Sequence, residues 1–261
     1  MFQADLLKDR RILITGGGTG LGQSMGRRML ELGASLVICG RREAVLEAAA
    51  AEFDADFPGR TEWYGCDIRD AGAIEAMLDA VWAEGPLDTL INNAAGNFLA
   101  RTETLSPRAL DAVLGIVLHG SAYMTLACGK RWIADSHQAN VLSIVTTYAW
   151  TGSAYVVPSA MAKAGVLAMT RSLAVEWGPK GIRLNAIAPG PFPTKGAWDR
   201  LIPNQEIEAA WLERVPLGRV GEHRELADLA VYLISEGAGQ FSLMEKLSDQ
   251  EWEQMRGRKG G

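Results

Sequence analysis

Arg11–Leu32 reads RILITGGGTGLGQSMGRRMLEL, and this stretch decides the fold. It opens as a β-rich apolar run, Arg11–Thr15, and continues as a helical pattern over Gly20–Leu32. The join between them is Thr15-Gly16-Gly17-Gly18-Thr19-Gly20-Leu21-Gly22. Glycine lets a backbone turn tightly and approach a ligand closely, and the helix that follows points free N–H groups at an anion. A glycine-rich stretch alone is weak. One that follows a strand and opens a helix has the context a dinucleotide site requires.

Outward from that stretch, short apolar runs alternate with longer helical patterns. Strands are expected at Ala34–Cys39, Thr61–Gly65, Leu87–Ile91, Val141–Val145 and Ile182–Ile187. Helices are expected at Arg42–Phe57, Asp70–Glu84, Ser106–Asp135 and Ser159–Trp177. Asp70 is a good N-cap, and Ser106-Pro107 is a capping residue followed by proline at the first helical position. Crossover helices of this length imply parallel strands, and right-handed crossovers make a doubly wound, Rossmann-type α/β sheet with helices on both faces. One domain spanning residues 1–261 is expected, with a proline-rich lid near residues 190–215 and a divergent tail at 237–261.

Composition sets further bounds. The chain has 261 residues, 48% hydrophobic and 22% charged, which is ordinary for a folded domain and argues against disorder. Its formal net charge of -5 gives no reason to expect nucleic acid or an anionic membrane as partner. No run was expected to reach the ~18 apolar residues of a membrane helix. Cys39, Cys66 and Cys128 are widely spaced and form no CxxC pair, so buried free thiols in a reducing compartment, no metal site, and a cytoplasmic protein are expected. The second strand ends at Arg41, where arginine can pair with a 2′-phosphate, so the cofactor is expected to be NADP. Asp67, after the third strand, is placed to meet the adenine amino group, although an Asp there is also a common turn residue.

Four separated segments together resemble the short-chain dehydrogenase/reductase family: the loop at residues 15–22, Asp67, Asn92-Asn93-Ala94-Ala95-Gly96, and Asn185 through Pro189-Gly190. That family normally carries Tyr-x-x-x-Lys on the helix after the fifth strand. Here the corresponding text is Ser159-Ala160-Met161-Ala162-Lys163, and the family's upstream serine position holds Thr146. The 2,4-dienoyl-CoA reductase branch is similar in this respect, with a tyrosine displaced upstream, where Tyr148 stands. The resemblance implies a homo-oligomer (dimer or tetramer) with an acyl-CoA substrate. It implies Tyr148, Asn97, Ser159 and Lys163 as catalytic residues, with Tyr148 and Asn97 as donors to a dienolate oxygen. It implies Gly16, Gly18, Thr19, Gly20, Leu21, Arg41, Asp67, Asn93, Lys163, Pro189, Gly190 and Phe192 around NADP, and Arg41, Arg69, Phe98, Ser106 and Arg200 at the substrate.

Three departures are visible. His119 lies where the family commonly has an asparagine that links the lysine to water. The family's final strand has no counterpart after Tyr232–Ser235, where a helical pattern at Leu243–Met255 follows instead. This would leave the sixth strand as an edge. Tyr155 is a rival to Tyr148 in the same loop. Two other readings therefore stay open: a carbonyl/alcohol oxidoreductase, and a nucleotide-binding protein without catalysis.

Overall fold

The computed structural model describes residues 2–194, 212–213 and 215–239. Six strands form one parallel sheet: β1 (Arg11–Thr15), β2 (Ser35–Gly40), β3 (Thr61–Gly65), β4 (Thr89–Asn92), β5 (Ala139–Ile144) and β6 (Ile182–Ile187). Their spatial order is β3-β2-β1-β4-β5-β6. The chain winds outward from β1 in one direction and from β4 in the other, so a crevice opens at the carboxyl ends of β1 and β4. The helices are α1 (Gly20–Glu31), α2 (Glu43–Asp56), α3 (Ala71–Ala83), α4 (Pro107–Leu114), α5 (Gly120–Ala134), α6 (Tyr148–Thr151), α7 (Val157–Trp177) and α8 (His223–Ile234).

Both sheet faces are covered, as side-chain alternation along the strands requires. Ile12, Ile14, Leu36, Ile38 and Leu142 pack with Met25 and Met29 of α1 and Leu226 and Val231 of α8. Leu13, Val37, Leu90, Val141 and Leu184 point the other way, onto Ile74 and Leu78 of α3, Met124 and Trp132 of α5 and Trp177 of α7. A Cβ on Gly129 would lie 2.3 Å from Trp177 Cη2, so a glycine there lets α5 and α7 meet.

Several boundaries differ from those expected. β4 starts at Thr89; before it, the Leu87 carbonyl accepts Trp132 Nε1 at 2.6 Å and the Asp88 carboxylate accepts the Arg11 N–H at 2.8 Å. β5 begins at Ala139, paired with Ile182. Residues 148–151, expected in a loop, form the helical turn α6. The long helix contains a π-helical segment, Gly115–His119, between α4 and α5. Pro107–Ala134 is, by length and composition, long and apolar enough to cross a membrane, contrary to the expectation for the sequence, and half of that apolar window is buried within the fold.

Among the described residues β6 pairs with β5 alone. Arg183 of β6 reaches past the end of α8, donating to the carbonyls of Leu233 at 2.9 Å, Ala238 at 3.0 Å and Ser235 at 3.1 Å. The tail at 240–261, Arg200 and most of the expected lid lie outside the described residues.

Candidate active site

The glycine loop is fixed from the neighbouring strand. Thr15 Oγ1 accepts the N–H groups of Asn93 and Ala94, both at 3.0 Å. Asn93 Nδ2 donates back to the carbonyls of Thr15 at 2.9 Å and Gly16 at 3.2 Å. Gly16 sits at φ +66, and a Cβ on Gly22 would lie 2.5 Å from Asn93 Nδ2. Only glycine fits such positions without backbone movement. Thr19, the N-cap of α1, makes no side-chain capping bond, and the first turn has no acidic residue. The first N–H groups of α1 therefore face the crevice without a side-chain acceptor, at the positive end of the helix dipole.

In front of them lies a cleft of about 440 Å³ lined by the glycine loop, Arg41, Asp67, Asn93, Ile116 and Thr194. That volume lies within the range of small-molecule and cofactor sites. Asp67 is held by Arg69, whose Nε donates to both carboxylate oxygens at 2.9 and 3.0 Å. This pairing holds the Asp67 carboxyl below the usual carboxylate range. Arg69, expected on the substrate, thus spends its guanidinium on Asp67, while exposed Arg41 keeps its place at the cleft. Phe192, expected beside the cofactor, packs against the core under α1 and α8 and onto Gly221. The cleft wall at that point is Thr194, which is not among the expected cofactor residues. Pro189 and Gly190 lie in the loop after β6, and a Cβ at Gly190 would meet open space.

Beyond the cleft, three elements converge on one hydroxyl. Tyr148 starts α6, Ser159 lies in the first turn of α7, and Asn97 lies in the loop after β4. Tyr148 Oη stands 3.1 Å from Ser159 Oγ and accepts from Asn97 Nδ2 at 3.4 Å. The Asn97 amide is oriented by its own backbone neighbour, because its Oδ1 accepts the Phe98 N–H at 2.9 Å. That leaves Nδ2 facing the tyrosine. One turn along α7, Lys163 is 6% exposed and donates Nζ to the Ile144 carbonyl. Burial pulls its pKa down from 10.5 to about 8. Phe98 packs beside the small cluster Val113, Val117 and Ala162, and Ser106 caps α4 by accepting the Ala109 N–H at 3.2 Å.

The rival residues fall outside this cluster. Tyr155 is 54% exposed at φ +65, and its carbonyl takes the Ala100 N–H. His119 is exposed at the end of the π segment and stacks on Tyr123, ring centroids 6.0 Å apart, so it does not take the inward role considered for it. Thr146 Oγ1 is buried without a hydrogen-bond partner among the described residues.

The family model described as Enoyl-(Acyl carrier protein) reductase matches residues 16–243. A short chain dehydrogenase from Bacillus anthracis superposes with TM-score 0.85 at 42% identity, covering 91% of this chain and 93% of that one. The chain is a short-chain dehydrogenase/reductase. Two similar members of the family carry dienoyl-CoA reductase names. The Bacillus subtilis protein named "Probable 2,4-dienoyl-CoA reductase [(2E)-enoyl-CoA-producing]" is 43% identical over 234 residues, 89% of this chain and 92% of its own. The Caenorhabditis elegans protein named "Probable 2,4-dienoyl-CoA reductase 3 [(3E)-enoyl-CoA-producing]" is 42% identical over 235 residues, 88% of this chain and 76% of its own. As an oxidoreductase of the short-chain dehydrogenase/reductase family, this chain keeps the lysine on α7, and the tyrosine hydroxyl that meets Ser159, one turn before that lysine, comes from α6. Neither the helical turn at α6 nor the inward aim of Tyr148 has a periodic signature in four residues, so only the resemblance pointed to it.

Proposed function

We propose that this chain reduces a 2,4-dienoyl-CoA thioester with NADPH, in the breakdown of unsaturated fatty acids. The observation that carries the reading is Tyr148 Oη, bracketed by Asn97 Nδ2 and Ser159 Oγ one helical turn from Lys163. The residues present fit the cofactor: the α1 N–H groups and glycine loop would hold the pyrophosphate, Arg41 a 2′-phosphate, Asp67 the adenine and Lys163 the nicotinamide ribose. The bound cofactor supplies a hydride.

Hydride addition at the far end of the conjugated diene drives the electron pair onto the thioester oxygen. Donors aimed beforehand at that oxygen are worth about 3 kcal/mol each. Asn97 donates to Tyr148 Oη through one amide hydrogen; with Ser159 Oγ also donating to it, the tyrosine O–H would point outward, and the second amide hydrogen would serve the same thioester oxygen. Tyrosine, with an ordinary pKa of ~10, suits a donor at neutral pH. Lys163 brings a positive charge into a dry region, where it favours the anionic transition state. Proton return to the carbon next to the thioester gives the 3-enoyl product, and return two carbons further gives the 2-enoyl product. The two relatives' names divide on this point. Coenzyme A brings phosphates that Arg41 and Arg200 would meet, with Phe98 and Ser106 beside the acyl end, while Arg69 stays on Asp67.

The test is NADPH oxidation with a 2,4-dienoyl-CoA, followed by product analysis, in the parent and in Tyr148→Phe. Turnover by the parent and a loss of about 10²–10³ in kcat for the variant are expected. Reduction of simple carbonyl substrates with no turnover of the dienoyl thioester overturns the reading.

A further inference from the structure

His223, the first residue of α8, sits between two parts of the candidate cofactor cleft that are far apart in sequence. Its Nε2 lies 2.6 Å from the Pro193 carbonyl oxygen. Its Nδ1 lies 2.7 Å from Ser24 Oγ, on the first turns of α1. A carbonyl can only accept, so Nε2 carries the proton; in the neutral ring Nδ1 is an acceptor, and it shares the one Ser24 hydroxyl hydrogen with the Gly20 carbonyl, 3.0 Å from Ser24 Oγ. The imidazole is therefore a two-ended strap from the segment after β6 to the helix that starts at the glycine loop.

The same segment is held beside it by two other contacts. The Gly221 N–H donates to the Pro191 carbonyl at 2.7 Å, and the Phe192 ring lies against Gly221, where a Cβ would meet it at 2.4 Å. The next residue after Pro193 is Thr194, which lines the cleft and lies over Gly20: a Cβ there would be 3.3 Å from Thr194 Cγ2. Gly221 and Phe192 fix the outer part of the segment. His223 alone among these contacts ties its last carbonyl before Thr194 directly to α1.

We propose that His223 is a positioning residue for the dinucleotide, holding Thr194 across the pyrophosphate end of the cleft by strapping Pro193 to Ser24. This rests on the reading of the cleft as a nicotinamide dinucleotide site. Removing the strap frees the Thr194 wall, so it weakens binding of the whole dinucleotide more than binding of an adenosine fragment that lacks the pyrophosphate bridge. It also acts on cofactor affinity rather than on the chemistry at Tyr148.

The experiment is calorimetric titration of the full-length protein with NADP, with NAD and, separately, with adenosine 2′,5′-bisphosphate, for the parent, His223→Ala and His223→Gln. Steady-state kcat and KM for NADPH are measured alongside. His223→Ala is expected to raise the Kd for NADP roughly tenfold, as for one lost hydrogen bond, while the bisphosphate Kd and kcat change less than about twofold. His223→Gln, whose amide nitrogen can donate to the Pro193 carbonyl, is expected to recover most of the loss. A parent that binds neither NADP nor NAD sinks the cofactor reading and this proposal with it. A parent that binds, with His223→Ala unaffected, or weakened equally for both probes, or with His223→Gln as weak as the alanine variant, overturns the proposal alone.

Discussion

Replacing Lys163 by methionine is expected to abolish turnover and yet make the unliganded protein more stable at neutral pH. Lys163 is buried, and desolvation lowers its pKa from 10.5 to about 8. At ~1.4 kcal/mol per pH unit, keeping that ammonium charged in the folded protein costs about 3 kcal/mol. Methionine has a similar length and no charge, so it releases that cost. Against this, the Ile144 carbonyl loses the Nζ donor, worth about 1–2 kcal/mol. The net gain is about 1–2 kcal/mol, or about 2–6 °C in Tm for a domain of this size. The pH dependence has a definite sign. Between about 8 and 10.5 the unfolded lysine binds a proton that the folded one has lost, so the parent gains stability as pH rises through that window. The methionine variant has no such gain. Its advantage is therefore full below about 8 and reversed by 10.5, where only the loss of the Nζ bond remains. Thermal and urea denaturation of both proteins at pH 7 and pH 10 measure this directly. A variant that melts below the parent at pH 7, or whose advantage is the same at both pH values, refutes the reasoning.

Other consequences are simpler to state. Arg41→Ala removes a cation from the cleft and is expected to raise KM for NADPH about tenfold while leaving KM for NADH within about threefold, read from paired cofactor titrations. Tyr155→Phe is expected to keep kcat within about twofold, since that residue is 54% exposed and outside the Asn97–Tyr148–Ser159 cluster; a hundredfold drop would restore the carbonyl reading. Gly129→Ala drives a methyl into Trp177 at 2.3 Å and is expected to cost about 1–3 kcal/mol, seen as a lower urea midpoint with an unchanged slope.

The inner strands were legible because they are buried on both faces, and such strands appear as largely apolar runs. RILIT, SLVIC and VLSI carry that signal without help from the rest of the chain. The glycine loop was legible for a related reason: its positions are dictated by backbone geometry, as Gly16 and Gly22 show. Short elements and side-chain direction were not. Four residues from Tyr148 to Thr151 are too few for a periodic pattern, and the π segment at Gly115–His119 turns His119 outward with no mark in the sequence. Arg69 looked like a free cation because its partner, Asp67, had been assigned to the adenine. Phe192 leaves the cleft wall to Thr194 because the aromatic ring finds apolar cover on Gly221, 29 residues on, which local sequence does not announce.

The guanidinium of Arg183 has a kinetic meaning beyond its three bonds. It leaves β6, the margin of the sheet among the described residues, and closes the carboxyl end of α8, where burial also disfavours its charge. Lifting either partner alone would strand a half-buried cation from three carbonyls at once. The strand margin and the helix terminus are therefore expected to open as one unit in amide hydrogen exchange, with β6 protected as long as the last turn of α8 stays closed.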